Sequence, residues 1–186
     1  MTTLGYALIG LLAKEALTGY ELAARLKTPI GFYWTARHSQ IYPELTRLVE
    51  AGLVTWEAAS GPGPRDKKVY VLTGTGLAAL RAWVTEPPGP RVHRDELLLK
   101  TYALWLADPA EALALYRAQR ALHAERLARH EAVRARVEAA QRERLERVDT
   151  PEFADYATLR RGIGYEAEYL AWLDWLIECL EQAAGG

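Results

Sequence analysis

Leucines and other apolar residues recur at helical spacing through the first fifty residues of the chain. Over residues 3–13 they fall on one face and predict a short first helix. Thr18 and Glu21 form a capping-box pattern, which begins a second helix that ends near residue 26. A third helix is predicted over residues 39–51, and Gly52 is a favourable residue just beyond its end.

The pattern then changes from helical spacing to runs of β-forming residues. Residues 53–57 and 68–72 predict two strands, and the loop between them is rich in Gly and Pro. Thr73 is a suitable cap for a fourth helix that runs to about Thr85. Three helices followed by a β-hairpin describe a winged helix, in which the third helix enters the DNA major groove.

The second half of the chain is predicted to be entirely helical. One helix covers roughly residues 95–106, a second runs from Asp108 to about Arg147, and a last helix continues from Thr150 to about Ala183. The middle helix would be ~57 Å long, at about 1.5 Å per residue. So long a helix needs more covering surface than this chain supplies, so we expect a partner chain. The predicted fold class is mainly α with a small β-hairpin wing.

Charge divides the chain into two parts. The sequence of 186 residues has a net charge of -1, which alone argues against a generic binder of polyanions. Residues 1–90 contain 9 Lys or Arg and 7 Asp or Glu, whereas residues 91–186 contain 14 and 17. A proline-rich segment lies near this boundary. We expect a winged-helix domain at 1–86, a linker at 87–94 and an α-helical dimerisation domain at 95–186.

Several classes of protein are disfavoured by composition. The single cysteine, Cys179, excludes an internal disulfide framework and a multi-cysteine zinc site. The first residues lack the charged and apolar regions of a secretion signal, and no early apolar stretch is long enough to span a bilayer. We therefore expect a cytoplasmic protein without a membrane partner.

The predicted third helix and the hairpin loop carry candidate DNA contacts. Polar or amphipathic side chains occupy the start of the helix, where groove-reading residues usually lie, and further basic residues follow on the helix and the loop. They are His38, Ser39, Gln40, Tyr42 and Arg47 on the helix and Arg65, Lys67 and Lys68 on the loop. Simpler interpretations remain open, because Ser39 also suits a helix cap, Tyr42 also suits a core position, and a basic loop is often only solvated.

Several segments of the first half together resemble the PadR family of bacterial transcriptional regulators. They are Thr18-Gly19-Tyr20-Glu21-Leu22, Ser39-Gln40-Ile41-Tyr42-Pro43-Glu44-Leu45, Gly52-Leu53-Val54 and Val69-Tyr70-Val71-Leu72-Thr73-Gly74. The resemblance implies a winged-helix repressor that dimerises through its C-terminal helices. The two reading helices of a two-fold dimer would then bind half-sites of a near-palindromic operator in double-stranded DNA. The resemblance also implies that Ser39, Gln40, Tyr42, Tyr20 and the basic wing face DNA.

The last predicted helix carries two adjoining stripes. The first has heptad-like spacing with one gap at Glu166, and we assign it to the dimer interface: Leu159, Ile163, Leu170, Leu173, Ile177 and Leu180. The second is aromatic, and packing is its simplest explanation. A sharper interpretation is a pocket for a small aromatic or hydrophobic effector, lined by Tyr165, Tyr169, Trp172 and Trp175.

Enzyme chemistry finds little support in the sequence. Gly74, Gly76 and Ala79 fit a dinucleotide-binding pattern, but no second parallel strand follows, so a capped helix start explains them better. His123 and His130 have no cysteine or carboxylate to complete a metal site. We expect no catalysis, cofactor or metal. The alternative to a DNA-binding regulator is a winged-helix adaptor that binds proteins without reading DNA.

Overall fold

The computed structural model of the protein describes residues 1–26, 38–59, 67–89 and 95–184, without the side chains of His38 and Ala184. The chain divides into two compact units, Met1–Gly89 and Pro90–Gly186. None of the helices in the described ranges is both long and apolar enough to cross a membrane.

In its described residues, the first unit contains four helices and a small antiparallel sheet. In chain order its elements are α1 (Thr3–Leu12), β1 (Leu17–Thr18), α2 (Gly19–Arg25), α3 (His38–Glu50), β2 (Val54–Ala59), β3 (Lys67–Leu72) and α4 (Gly74–Trp83). The predicted helices and hairpin are present, but the sequence analysis missed β1. This two-residue strand pairs with β3, so the sheet order is β1-β3-β2, with Leu17 opposite Tyr70.

Local capping explains where these helices begin and end. The Thr18 hydroxyl accepts a hydrogen bond from the Glu21 amide, and the Glu21 carboxylate accepts one from the Thr18 amide. Gly52 has a φ of 69° and ends α3, because the Gly52 amide donates to the Val49 carbonyl and the Leu53 amide donates to the Leu48 carbonyl. The sequence prediction of both boundaries is confirmed.

The glycine pattern after β3 serves packing. The Thr73 hydroxyl caps α4 by accepting from the Gly76 amide. A β-carbon at Gly76 would lie 2.1 Å from the Leu53 carbonyl oxygen, whereas one at Gly74 would meet nothing within 4 Å. Gly76 therefore lets α4 approach the backbone that follows α3, and this close packing explains why the position needs a glycine.

The second unit is built around a helical hairpin. Its elements are α5 (Glu96–Tyr102), a 3-10 turn (Leu104–Leu106), α6 (Pro109–Leu145) and α7 (Pro151–Ala184). The single helix predicted over 95–106 is therefore interrupted, with Ala103 between α5 and the turn. The 37-residue α6 confirms the predicted long helix but is kinked at Gln141, whose φ of -142° is non-helical.

The cores of the two units differ in composition. The first is formed almost wholly by aliphatic side chains from α1, α2, α3 and β2, joined by Tyr70. The second lies between α6 and α7 and combines leucines with Tyr116 and Tyr169. The long helices thus bury an interior within one chain before any partner is added.

Candidate nucleic-acid interface

The first turn of α3 presents polar side chains to solvent. Ser39 and Gln40 are exposed, and Tyr42 is 45% exposed. A β-carbon at Gly19 would come within 2.7 Å of the Tyr42 ring, so this ring lies directly against the start of α2. Tyr42 therefore packs on one side and remains accessible on another, which reconciles the two interpretations of this residue.

The short strand β1 brings the start of α2 beside β3. Tyr20, the second residue of α2, is 75% exposed. The pKa of Glu21 is lowered mainly by hydrogen bonds from Thr18, and the positive charge of Lys67 on β3 adds to this effect. Tyr20 and Lys67 thus lie at one edge of the unit, in an arrangement that depends on a strand pairing.

The second lysine of β3 is held by an aromatic ring. Lys68 Nζ lies 4.0 Å from the centre of the Trp56 ring on β2, which is a cation–π contact. Trp56 is 40% exposed. Trp56 was missed by the sequence analysis, although a tryptophan two residues from the register partner of Lys68 is a signal for such a contact. Arg65 and the side chain of His38 lie outside the described residues.

Arg47 is anchored by a buried carboxylate. Its guanidinium lies 3.0 Å from Glu44, which is only 4% exposed, and the Thr2 hydroxyl donates a 2.5 Å hydrogen bond to the same carboxylate. The sequence analysis did not single out Glu44. Its position in the apolar stripe between Ile41 and Leu48 is the signal that predicts burial.

A chain of aromatic and acidic contacts runs through the second unit. The Tyr169 hydroxyl donates to Asp95 at 2.9 Å, and Asp95 also caps α5. The Tyr169 ring stacks on His123 at 4.1 Å and meets Trp172 edge-on, while Tyr165 lies tilted against it at 5.7 Å. Burial, followed by the bond to Asp95, raises the pKa of Tyr169 well above its usual value.

The gap in the predicted stripe of α7 is a buried carboxylate that faces a histidine of α6. Glu166 lies 2.5 Å from His123 Nδ1, and both side chains are buried. The sequence analysis found no carboxylate for His123, and the structure supplies one. Burial lowers the pKa of His130, one heptad further along α6, against an opposing effect of the Glu166 charge. Over the described ranges, no three potential metal ligands cluster together.

Two family models together match most of the chain. Residues 8–82 match the transcriptional regulator PadR-like family, and residues 93–181 match the virulence activator alpha C-terminal model. The negative transcriptional regulator PadR of Bacillus subtilis is 30% identical over 98% of this chain and 100% of its own length. The chain belongs to the PadR-like family of transcriptional regulators.

Further relatives agree with this assignment. A probable transcriptional regulator of Mycobacterium tuberculosis is 33% identical to this PadR-like chain over 96% of it and 98% of the relative. The Bacillus subtilis PadR structure in complex with operator DNA has a TM-score of 0.85 at 30% identity, covering 96% of this chain and 99% of that chain. The same protein in complex with p-coumaric acid has a TM-score of 0.80 at 30% identity, covering 97% and 99%.

The residues predicted for the dimer interface of this PadR-like chain and those predicted for the effector pocket differ in burial and contacts. Leu159, Leu173, Ile177 and Leu180 are buried and Ile163 and Leu170 half-buried within a single chain. Because Leu173, Ile177 and Leu180 pack in the core of their own unit, the contact of this stripe with a partner stays a prediction. Of the effector candidates, Tyr169 contacts both Tyr165 and Trp172, whereas Trp175 is 58% exposed.

Proposed function

We propose that this protein is a cytoplasmic, homodimeric repressor that binds a specific operator and acts without catalysis or a cofactor. The observation that carries the proposal is the exposed first turn of α3, with Tyr20 and two wing lysines at the edge of the same unit. Groove-reading helices present such side chains at their N-terminal ends. The operator complex of the Bacillus subtilis relative supports the same partner.

The side chains divide by the kind of contact that they suit. Gln40 carries an amide that can pair with both polar atoms of an adenine edge in the major groove. Lys67 and Lys68 carry charges that suit phosphates, which give affinity without sequence information. In a two-fold dimer, two α3 helices would read half-sites about 34 Å apart on a near-palindromic operator.

A small aromatic or amphipathic effector is part of the proposal. Tyr165, Tyr169 and Trp172 form a contiguous aromatic cluster in the second unit. The p-coumaric acid complex of the Bacillus subtilis relative supports a ligand of this chemical class. Such a ligand releases DNA only if it binds the DNA-free conformation more tightly than the bound one.

The test compares two substitutions on DNA containing the protein's own promoter region and on random DNA. Gln40→Ala is expected to weaken specific binding by roughly 5- to 150-fold, because one bidentate base contact is lost, with little change on random DNA. Lys67→Ala is expected to weaken both alike and to reduce the salt slope by about 1. Fluorescence anisotropy across a salt series measures both effects.

The control is Val84→Ser, an exposed apolar residue at the end of α4 and outside the proposed interface. Equal losses on both DNAs for Gln40→Ala would exclude base reading by this residue. Wild-type protein without preference for the promoter DNA at physiological salt would contradict the repressor proposal and favour the protein-binding adaptor.

A further inference from the structure

The hairpin of β2 and β3 places its two lysines on opposite faces. Side chains alternate along a strand, and residues directly opposite each other in an antiparallel pair share a face. Lys68 therefore shares a face with Trp56 and Tyr70, because Trp56 lies opposite Tyr70 and Lys68 is two residues before it. Lys67 lies on the other face, together with Glu57. The two lysines thus have different surroundings.

The face that carries Lys68 continues into the core beside α3. Tyr70 is buried in the core that also contains Ile41 of α3. Burial raises the pKa of Tyr70, and the Tyr42 hydroxyl near the start of α3 adds to this effect. On the same face, Trp56 is partly exposed and Lys68 is exposed. Lys68 therefore lies at the open end of a face that begins next to the reading helix.

The contact between Trp56 and Lys68 holds a cation without neutralising it. Lys68 Nζ lies 4.0 Å from the centre of the indole ring, whose negative face attracts the ammonium group. Over the part of the chain that the structure describes, no carboxylate forms an ion pair with Lys68. Arg47 differs, because the carboxylate of Glu44 lies 3.0 Å from its guanidinium. Lys68 is therefore restricted in position but keeps its charge for another anion.

We propose that Trp56 is a positioning residue, which holds the Lys68 ammonium in place to pair with a DNA phosphate beside the groove that α3 reads. A lysine loses side-chain rotational freedom when it pairs with a phosphate, and the ring restricts that freedom before DNA binds. Trp56 itself then needs no contact with DNA. The inference rests on the DNA binding of the proposed function and adds a residue that acts through Lys68.

The test is a double-mutant cycle, measured by fluorescence anisotropy of labelled promoter and random DNA with the full chain. Lys68→Gln is expected to weaken binding to both DNAs by about 5-fold at physiological salt and to reduce the salt slope by about 1. Trp56→Leu is expected to weaken binding by about 3-fold, because the cation–π contact is lost. The double variant is expected to bind no more weakly than Lys68→Gln alone, because the ring acts through the lysine.

Lys67 provides the matched control, because it carries the same charge on the opposite face of the same strand. Lys67→Gln is expected to weaken binding by about 5-fold, and its combination with Trp56→Leu by about 15-fold, the product of two independent losses. Trp56→Phe keeps a ring over Lys68 and is expected to lose less than about 2-fold. Trp56→Thr is a second variant without a ring, with a residue that suits strands, and it is expected to match Trp56→Leu.

Far-UV circular dichroism and thermal unfolding check that each variant is folded. An equal effect of removing the ring in the wild type and in Lys68→Gln would overturn the inference, because the ring would then act on DNA or on the sheet directly. Folded variants without the ring that bind as tightly as the wild type would also overturn it. Wild-type protein that binds neither DNA would contradict the proposed function as well.

Discussion

The two units solve the problem of a buried interior in different ways. In the first unit, the fully buried Leu8, Leu22 and Leu45 belong to a nearly aliphatic core. Among the described residues of this unit, Glu44 is the one buried charged side chain, and it pairs with Arg47. In the second, His123, Glu166 and His130 lie buried along the helical hairpin. The interior of the second unit therefore holds more buried ionisable groups than the described part of the first.

This difference separates packing from pairing. Aliphatic contacts are non-directional, so the first unit positions α3 by shape and by local caps. A buried hydrogen bond requires one partner opposite the other, so the contact between His123 and Glu166 sets which turn of α6 faces which turn of α7. Such hydrogen bonds contribute little net stability, but any arrangement that separates the partners leaves buried polar groups unsatisfied.

The largest expected effect on stability comes from removing one partner of the contact between His123 and Glu166. Glu166→Leu leaves the His123 ring buried without its hydrogen-bond partner, and we expect it to lower the free energy of unfolding by about 3 kcal/mol. Urea denaturation followed by circular dichroism measures the change. The double variant His123→Leu and Glu166→Leu is expected to recover most of the loss, because it removes both polar groups together.

A double variant as unstable as the single one would show that side-chain shape, rather than an uncompensated polar group, determines the stability at this position. The second unit would then resemble the first in how its core is held, and the contrast between pairing and packing would fail.

An intermediate effect is expected in the first unit, where close approach replaces pairing. Gly76→Ala places a β-carbon 2.1 Å from the Leu53 carbonyl oxygen, so α4 must shift, and we expect a loss of about 2 kcal/mol. Gly74→Ala is the matched control two residues earlier, where a β-carbon meets nothing within 4 Å. Thermal unfolding of the two variants gives the comparison. Equal melting temperatures would show that the contact is not tight.

The parts of this fold that sequence predicts are those with local causes. The capping box at Thr18, the glycine after α3 and the start of α6 at Asp108 each need only residues close in the chain, and the structure confirms all three. The strand β1 escaped prediction because its two residues are defined by pairing with β3, about fifty positions away. In the sequence, Glu166 likewise only interrupts an apolar stripe, because its partner His123 lies on a different helix.

The candidate sites follow the same division. The exposure of Ser39 and Gln40 agrees with the helix start predicted from sequence. The contacts of the apolar stripe of α7 are harder to predict, because heptad spacing is the same for a helix that packs within its chain and for one that packs between chains.

The smallest expected effect is a pH dependence confined to the second unit. Burial lowers the pKa of His130 in the folded protein, so below the ordinary histidine value the unfolded chain binds more protons than the folded one. Stability is then expected to fall as the pH drops below about 6.5, by at most about 1.4 kcal/mol per pH unit. Urea denaturation at several pH values between about 5 and 8, where histidine side chains titrate, measures how the free energy of unfolding changes with pH. His130→Leu is expected to reduce the dependence of the free energy of unfolding on pH. If the pH dependence is unchanged in that variant, another group causes it, and His130 does not contribute to the difference between the two cores.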